Sequence, residues 1–155
     1  MDKKILPMRS GVGIIVLNNN NQVFVGKRKD NPQDKWQMPQ GGIDEGENYI
    51  TAMKRELIEE TSIKNIQILK EIKHIYQYEL PKNLIGIIWK GKYRGQKQKW
   101  FITRFLGDES EINVNTKNPE FIDWKWIEPK KLPEVIVDFK KKLYEDLLKE
   151  INSFI

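Results

Sequence analysis

Residues 38–63 read MPQGGIDEGENYITAMKRELIEETSI, and their order decides the architecture. The opening part carries Pro39, Gly41, Gly42 and Gly46, so it reads as a loop of defined shape. From Glu47 onward glycine and proline vanish, and Ile50, Met53, Leu57 and Thr61 recur at helical spacing, which predicts an amphipathic helix. On that helix Glu56, Glu59 and Glu60 stand at i, i+3 and i+4 and project within an arc of about 100°. Three like charges on one face repel one another, so something should compensate them.

Working outward, residues 11–17 (GVGIIVL) form a β-branched apolar run, followed by the turn cluster NNNN and a second such run, QVFVGKR, which together predict a hairpin. Asn31, Pro32 and Asp34 break the pattern before the glycine-rich loop. Beyond Ser62 the chain predicts strands again, in IQILKEIKHIYQYEL, LIGIIWKGKY and KWFITRFL, with GQKQ at residues 95–98 as a connection. A further strand, EFIDWKWI, ends at the segment from Pro129 to Pro133. The last piece, VIVDFKKKLYEDLLKEI, carries Ile136, Phe139, Leu143, Leu147 and Ile151 at steps of three or four and predicts an amphipathic helix. Strands, helix, strands, helix in that order predict a layered α/β (α+β) domain, a single one over residues 1–155.

There are no cysteines and one histidine, His74, so disulfides and thiolate or His-rich zinc sites are excluded, and any metal must rest on oxygen. No apolar run is long enough to cross a bilayer, and the N-terminus, MDKKILPMRSGVG, lacks a signal-peptide core. A soluble, cytoplasmic protein, monomeric and without a membrane partner, is expected. The net charge of +5 suits an anionic partner such as a nucleotide or nucleic acid, and equally an ordinary soluble surface.

Carboxylates without His or Cys favour hard cations, and Mg²⁺ prefers octahedral oxygen ligands with positions left for water or phosphate. Such an ion neutralises phosphate oxygens and lowers the pKa of a water, while a spare carboxylate removes the proton. Glycines at 41, 42 and 46 permit a close backbone approach to the same place. An acidic triplet alone also suits a solvated face balanced by Lys54 and Arg55. Its context decides between the two: a Gly-Gly loop at fixed distance, Glu47 at the helix start, and Arg55-Glu56 beside the cluster.

That context resembles the Nudix hydrolase signature, G-x5-E-x7-R-E-U-x-E-E-x-G-U with U bulky aliphatic. It runs here from Gly41 through Glu47, Arg55, Glu56, Leu57, Glu59 and Glu60 to Ile63 and departs only at Ser62, where the family has glycine. A left-handed backbone there would strain a serine. Further segments, MRSGVGI, WQMPQGGIDEGE, GQKQKWF, PEFIDWKW and Phe139-Lys140, resemble the bacterial RNA pyrophosphohydrolase and diadenosine polyphosphate hydrolase branch, over about residues 8 to 145.

The resemblance implies a Nudix α/β/α sandwich with a mixed sheet between helices. It also implies hydrolysis of a nucleoside diphosphate linked to another group, with Mg²⁺, Mn²⁺ or another divalent cation. The substrate would be an RNA 5′ triphosphate end, losing pyrophosphate, or diadenosine tetraphosphate, giving ATP and AMP. By the same resemblance Glu56 and Glu60 are metal ligands, Glu59 is a third ligand or the water-activating group, and the Gly41 carbonyl is a backbone ligand. A box carboxylate, Glu59 or Glu60, takes the proton, with Glu120 the alternative base. Glu120 matches an acidic residue that reaches the metal from outside the box, although by itself it reads as a surface carboxylate. Glu47 and Arg55 match a structural pair. Arg9, Arg28 and Lys140 match basic positions near phosphate, with Lys97 and Lys99 weaker candidates. Tyr78 and Phe139 match rings that stack on a base, and the apolar stripe of the last helix competes for Phe139. Trp36, Trp89, Trp100, Trp124 and Trp126 are core residues by default. The competing functions are nucleotide-pool sanitising or ADP-ribose hydrolysis on the same box, and a non-catalytic RNA-binding module.

Overall fold

A computed structural model describes residues 6–30 and 33–155. The expectations for the extreme N-terminus and for Asn31 and Pro32 as breakers therefore lie outside the described residues. In chain order the elements are β1 (Met8–Leu17), β2 (Val23–Arg28), β3 (Trp36–Gln37), β4 (Gln40–Gly42), α1 (Tyr49–Thr61), β5 (Ile66–Glu71), β6 (Tyr76–Glu79), β7 (Gly95–Phe105), β8 (Phe121–Ile127), the short α2 (Leu132–Val135) and α3 (Lys141–Phe154).

The two longest strands form the spine of one mixed sheet. β1 runs parallel to β7, in register from Met8 opposite Gly95 to Leu17 opposite Arg104. Every other pairing is antiparallel, and the central path is β3-β2-β1-β7-β5. Each spine strand changes partner along its length: β1 pairs with β4 at residues 11–13 and with β2 at Leu17, while β7 pairs with β6 at residues 95–98 and with β5 beyond.

Alternation along β1 explains why its sequence carries no polar side chain from Gly11 to Leu17. Val12, Ile14 and Val16 pack with Ala52, Met53 and Leu57 of α1, whereas Ile15 and Leu17 pack with Leu143, Tyr144, Leu147 and Ile151 of α3. A strand covered on both faces has no polar side. The result is the expected α/β/α sandwich. Burying Met53 and Leu57 contributes roughly 1.5–3 kcal/mol each, far above the few tenths, roughly, that like charges at i, i+4 on α1 cost. The helix is capped by Asn48, whose Oδ1 accepts from the Thr51 N–H at 2.8 Å, and ends at Ser62 in the left-handed region.

The hairpin forms as expected, with Asn18 Oδ1 accepting from the N–H groups of Asn20 and Gln22. Four other expectations are corrected. IQILKEIKHIYQYEL divides into β5 and β6, separated by residues 72–75. LIGIIWKGKY is not a strand but a series of turns closed by a 3-10 turn at Ile88–Gly91, because Gly86 and Gly91 take positive φ and break the extended run. GQKQ is not a connection but the start of β7, since residues 8–11 offer it a parallel partner. The last helix begins at Lys141, leaving Ile136 and Phe139 outside it; β-branched Ile136 and Val137 follow the short α2 in extended conformation. Of the tryptophans, only Trp36 and Trp100 are buried; Trp89, Trp124 and Trp126 are half-buried. Among the described residues no helix is long and apolar enough to cross a membrane.

Candidate active site

The loop that precedes α1 is held by a single guanidinium. Arg55 Nε and Nη2 donate to the two oxygens of Glu47 at 2.7 and 2.9 Å, Nη2 also donates to the Gly42 carbonyl at 2.9 Å, and Nη1 donates to Glu56 at 2.8 Å and Glu59 at 3.2 Å. Glu47 in turn accepts from the Asp44 N–H at 2.9 Å. The Arg55 bonds, with that N–H, hold the Glu47 carboxyl down at about 2. A bidentate pair of this kind fixes geometry as well as charge, and here it sets the glycine loop against the helix.

That setting brings Gly41 against Glu56 so closely that a Cβ at Gly41 would lie 2.0 Å from the Glu56 carboxylate. Only glycine fits there. One turn on, Glu60 is 4% exposed, and its Oε1 accepts from the Gln40 N–H at 3.0 Å. Burial pushes the Glu60 carboxyl well above the ordinary range; Glu56 and Glu120 push it further, while the Gln40 N–H and Arg28 draw it down. Burial also raises Glu56, against the pull of Arg55. Two desolvated carboxylates of like sign on one helix face form a place for a cation.

The donor set fits a hard divalent ion. Glu56, Glu60 and the Gly41 carbonyl are all oxygen ligands, and Mg²⁺ commonly uses one or two carboxylates and completes its shell with water and phosphate. Among the described residues no three His, Cys, Asp or Glu side chains form a ready-made metal cage. Glu59 is exposed and leans on Arg55, and Glu120 stands 3.6 Å from Arg28.

These carboxylates line one end of a cavity of about 840 Å³, which Arg9, Arg28, Lys140, Tyr78 and Phe139 also line. The volume suits a ligand of nucleotide size. Arg28 is bound bidentately by Asp30, at 2.8 and 2.6 Å, an acidic neighbour that sequence reasoning missed. Lys140 is 6% exposed; burial, and then the nearby Arg28, bring its ammonium down to about 7, while Glu60 and Asp30 hold it up. Lys97 and Lys99 do not reach the cavity. Along β7 the even positions face the α3 layer with Trp100 and the odd ones the opposite side, where Lys99 pairs with Glu71 at 3.7 Å.

The even positions hold glutamines instead. Trp100 Nε1 donates to Gln98 Oε1 at 3.1 Å, Gln98 Nε2 donates to Gln40 Oε1 at 2.8 Å, and Tyr78 Oη donates to Gln96 Oε1 at 2.9 Å. The Gln40 backbone then meets Glu60. A polar chain thus runs from the core beneath the sheet to the buried carboxylate. Behind it, the Met38 N–H donates to Tyr144 Oη of α3 at 2.8 Å, which ties the loop to the second helical layer. The alternation of glutamine in GQKQ, with Gln40 in WQMPQ, was the available signal for this chain.

The NUDIX domain profile matches residues 7–147. The chain is 57% identical over 155 residues to an RNA pyrophosphohydrolase of Pelagibacter ubique (strain HTCC1062), covering 99% of this chain and 98% of that one. It is 48% identical over 150 residues to an RNA pyrophosphohydrolase of Rickettsia conorii (strain ATCC VR-613 / Malish 7), covering 97% and 93%. Among solved structures it resembles the E. coli dihydroneopterin triphosphate pyrophosphohydrolase, with TM-score 0.69, 18% identity and coverage of 93% and 99%. It also resembles a C. elegans Ap4A hydrolase binary complex, with TM-score 0.67, 18% identity and coverage of 95% and 100%. At that identity the structural likeness speaks for the fold alone.

Proposed function

The chain belongs to the NUDIX family, and from that membership we propose that it is a Mg²⁺-dependent hydrolase that removes pyrophosphate from the 5′ triphosphate end of RNA and also cleaves diadenosine tetraphosphate. The name shared by relatives 57% and 48% identical over nearly their whole lengths supports the RNA substrate. The observation that carries the reading is the pair Glu56 and Glu60, desolvated beside Gly41, in a cavity that Arg9, Arg28 and Lys140 also line. A protein that merely bound RNA would gain nothing from placing negative charge beside phosphate. The enzyme acts as a monomer in the cytoplasm, where its RNA substrate is made.

Glu56, Glu60 and the Gly41 carbonyl would hold the divalent ion, with the negative charge of Glu120 in the same cavity. Once bound, the ion supplies phosphate neutralisation and a more acidic water. Arg28, Arg9 and Lys140 bind the phosphate chain and align it for in-line attack, Arg28 exchanging Asp30 for a phosphate oxygen. Water adds to a phosphorus atom, the phosphoanhydride bond to the leaving phosphate breaks, and the water's proton passes to Glu59 or Glu60. Glu47 and Arg55 take no part in the bond changes; they keep the Gly41 carbonyl and Glu56 in place.

The test is a side-by-side product assay with Mg²⁺ on triphosphorylated RNA, diadenosine tetraphosphate, ADP-ribose and oxidised dGTP. Turnover of the first two and little of the others is expected; faster turnover of ADP-ribose or oxidised dGTP overturns the proposal. Glu60→Gln is expected to lose at least about a hundredfold in kcat, in the range of losing a positioned acid–base group. Glu59→Gln, measured alongside, identifies the proton acceptor.

A further inference from the structure

Tyr78 and Phe139 line the cavity, Phe139 half-buried and Tyr78 with Lys140 against its ring. Their ring centroids stand 5.9 Å apart at 48°, and Lys140 Nζ lies 4.9 Å from the centre of the Tyr78 ring. A base between two parallel rings needs about 7 Å, twice a van der Waals separation. Tyr78 is besides only 7% exposed. The two rings therefore do not sandwich a base between them, and the cavity wall carries a third ring.

Trp89 lines the same cavity, half-buried, and was read from sequence as core. Its backbone is left-handed, φ 54 and ψ 38, and so is that of Lys90, φ 58 and ψ 26. Two successive non-glycine residues in that region persist only where their surroundings enforce it, and such strain collects at ligand sites. Here the enforcement is visible: Gly86 and Gly91 close the loop at positive φ, with the Gly86 carbonyl only 3.0 Å from where a Gly91 Cβ would stand. Ile88, immediately before, packs into the α3-side core and anchors the turn. Strain therefore goes into placing the indole at the cavity wall.

The Arg9 guanidinium supplies the link to the reacting end. Its carbon lies 5.2 Å from the centre of the Trp89 ring, while its Nη2 lies 2.3 Å from where a Cβ at Gly42 would stand, beside the carboxylates. We propose that Trp89 is a nucleobase platform, and that Arg9 is shared between its ring and the phosphates of a bound substrate. A polyphosphate draws Arg9 off the indole and leaves the ring to a base. The platform tolerates any base, because every base has a π-face. The stacked base is either one at the RNA 5′ end or an adenine of a dinucleoside polyphosphate. The inference rests on the reading of the site as a nucleotide hydrolase.

The test compares Trp89→Ala and Trp89→Phe on triphosphorylated RNA, on diadenosine tetraphosphate and on a triphosphorylated dinucleotide with both bases removed. Trp89→Ala is expected to raise KM about tenfold on base-bearing substrates with kcat within about twofold, and to leave the base-free substrate unchanged. Trp89→Phe keeps the ring and stays within about twofold. Lys90→Gly, which relaxes the backbone without touching the ring, controls for folding and keeps KM. A rise confined to RNA identifies an RNA base as the ligand; one confined to diadenosine tetraphosphate identifies an adenine. An unchanged KM on both, or an equal rise on the base-free substrate, overturns the platform. If the wild type hydrolyses neither substrate, the functional reading fails. Calorimetric binding of the same compounds then decides the platform by whether Trp89→Ala still loses about tenfold in affinity for the base-bearing ones.

Discussion

A serine at φ 66 and ψ 7 is held in a region that glycine enters freely and L side chains enter at a cost of about 1–2 kcal/mol. Ser62 ends α1 there, its N–H bonded to the Ile58 carbonyl, and its Oγ donates to the Asn113 carbonyl at 2.9 Å. The hydroxyl offsets part of the strain, as a glycine at this position of the motif has no side chain to do. Ser62→Gly should therefore change stability by under about 0.5 kcal/mol, because relief of strain and loss of the bond nearly cancel. Ser62→Ala keeps the strain, loses the bond, and should be less stable than Ser62→Gly by about 1 kcal/mol in urea melts. Glu47 supports a second prediction. Its carboxyl lies at about 2, below the ordinary 4.5, chiefly because Arg55 bonds its charged form. A depressed acid stabilises the fold above its unfolded pKa and loses that contribution as pH falls through the folded one. Glu47→Gln should flatten the fall of stability between about pH 4.5 and 2, compared with wild type in melts at stepped pH.

At the scale of elements, the chain of buried glutamines joins β7, β4 and α1, and each link depends on the next. Gln98→Leu removes the partner of Trp100 Nε1 and of Gln40 Oε1 together, and each buried polar group left unpaired costs about 1–3 kcal/mol. Destabilisation by about 2 kcal/mol or more in urea is expected, with a weaker response of the melting temperature to Mg²⁺ because Gln40 supports Glu60; a purely local role would leave the Mg²⁺ response intact. β7 also marks where sequence was legible and where it was not. The helical spacing from Ile50 to Thr61 and the apolar run of β1 declared themselves, because each is set by local periodicity and by burial. GQKQ did not, since its glutamines are polar by type and become core only through a parallel partner some 85 residues away, residues 8–11 beside residues 95–98. The turn that carries Trp89 was hidden for the opposite reason: LIGIIW has strand composition, and positive φ at Gly86, Trp89, Lys90 and Gly91 turns it back. In the site, motif spacing located Glu47, Arg55, Glu56 and Glu60. Asp30 lies in no motif and finds Arg28 through a bend of the chain.

Over the whole molecule the two helical layers meet at one cavity with opposite unpaired charges. Glu60 arrives from α1 and Lys140 from the turn before α3, each buried, and each is displaced toward its neutral form by burial first. For Lys140 the folded value of about 7 lies below the ordinary 10.5, so its charged form opposes folding. That penalty is complete below pH 7 and shrinks as pH rises from about 7 to 10.5. Lys140→Met should consequently stabilise the ligand-free protein by about 1–4 kcal/mol at pH 6 and by much less at pH 10, while weakening polyphosphate binding. Glu60 has the reverse sign: its raised carboxyl opposes folding when ionised, so the ligand-free protein loses stability as pH climbs from about 4.5 through the folded value. Glu56 and Glu120 face it with like charge, Arg28 and Lys140 with opposite charge. A divalent ion reverses the balance, because it must displace the Glu60 proton to bind. Mg²⁺ affinity should rise with pH across that window and then level off, with protons released on binding. Calorimetry in two buffers of different ionisation enthalpy reads the release directly, and Glu60→Gln should abolish it. Affinity independent of pH, with no proton released, would remove Glu60 from the ion's ligands and leave Glu56 and the Gly41 carbonyl to hold it.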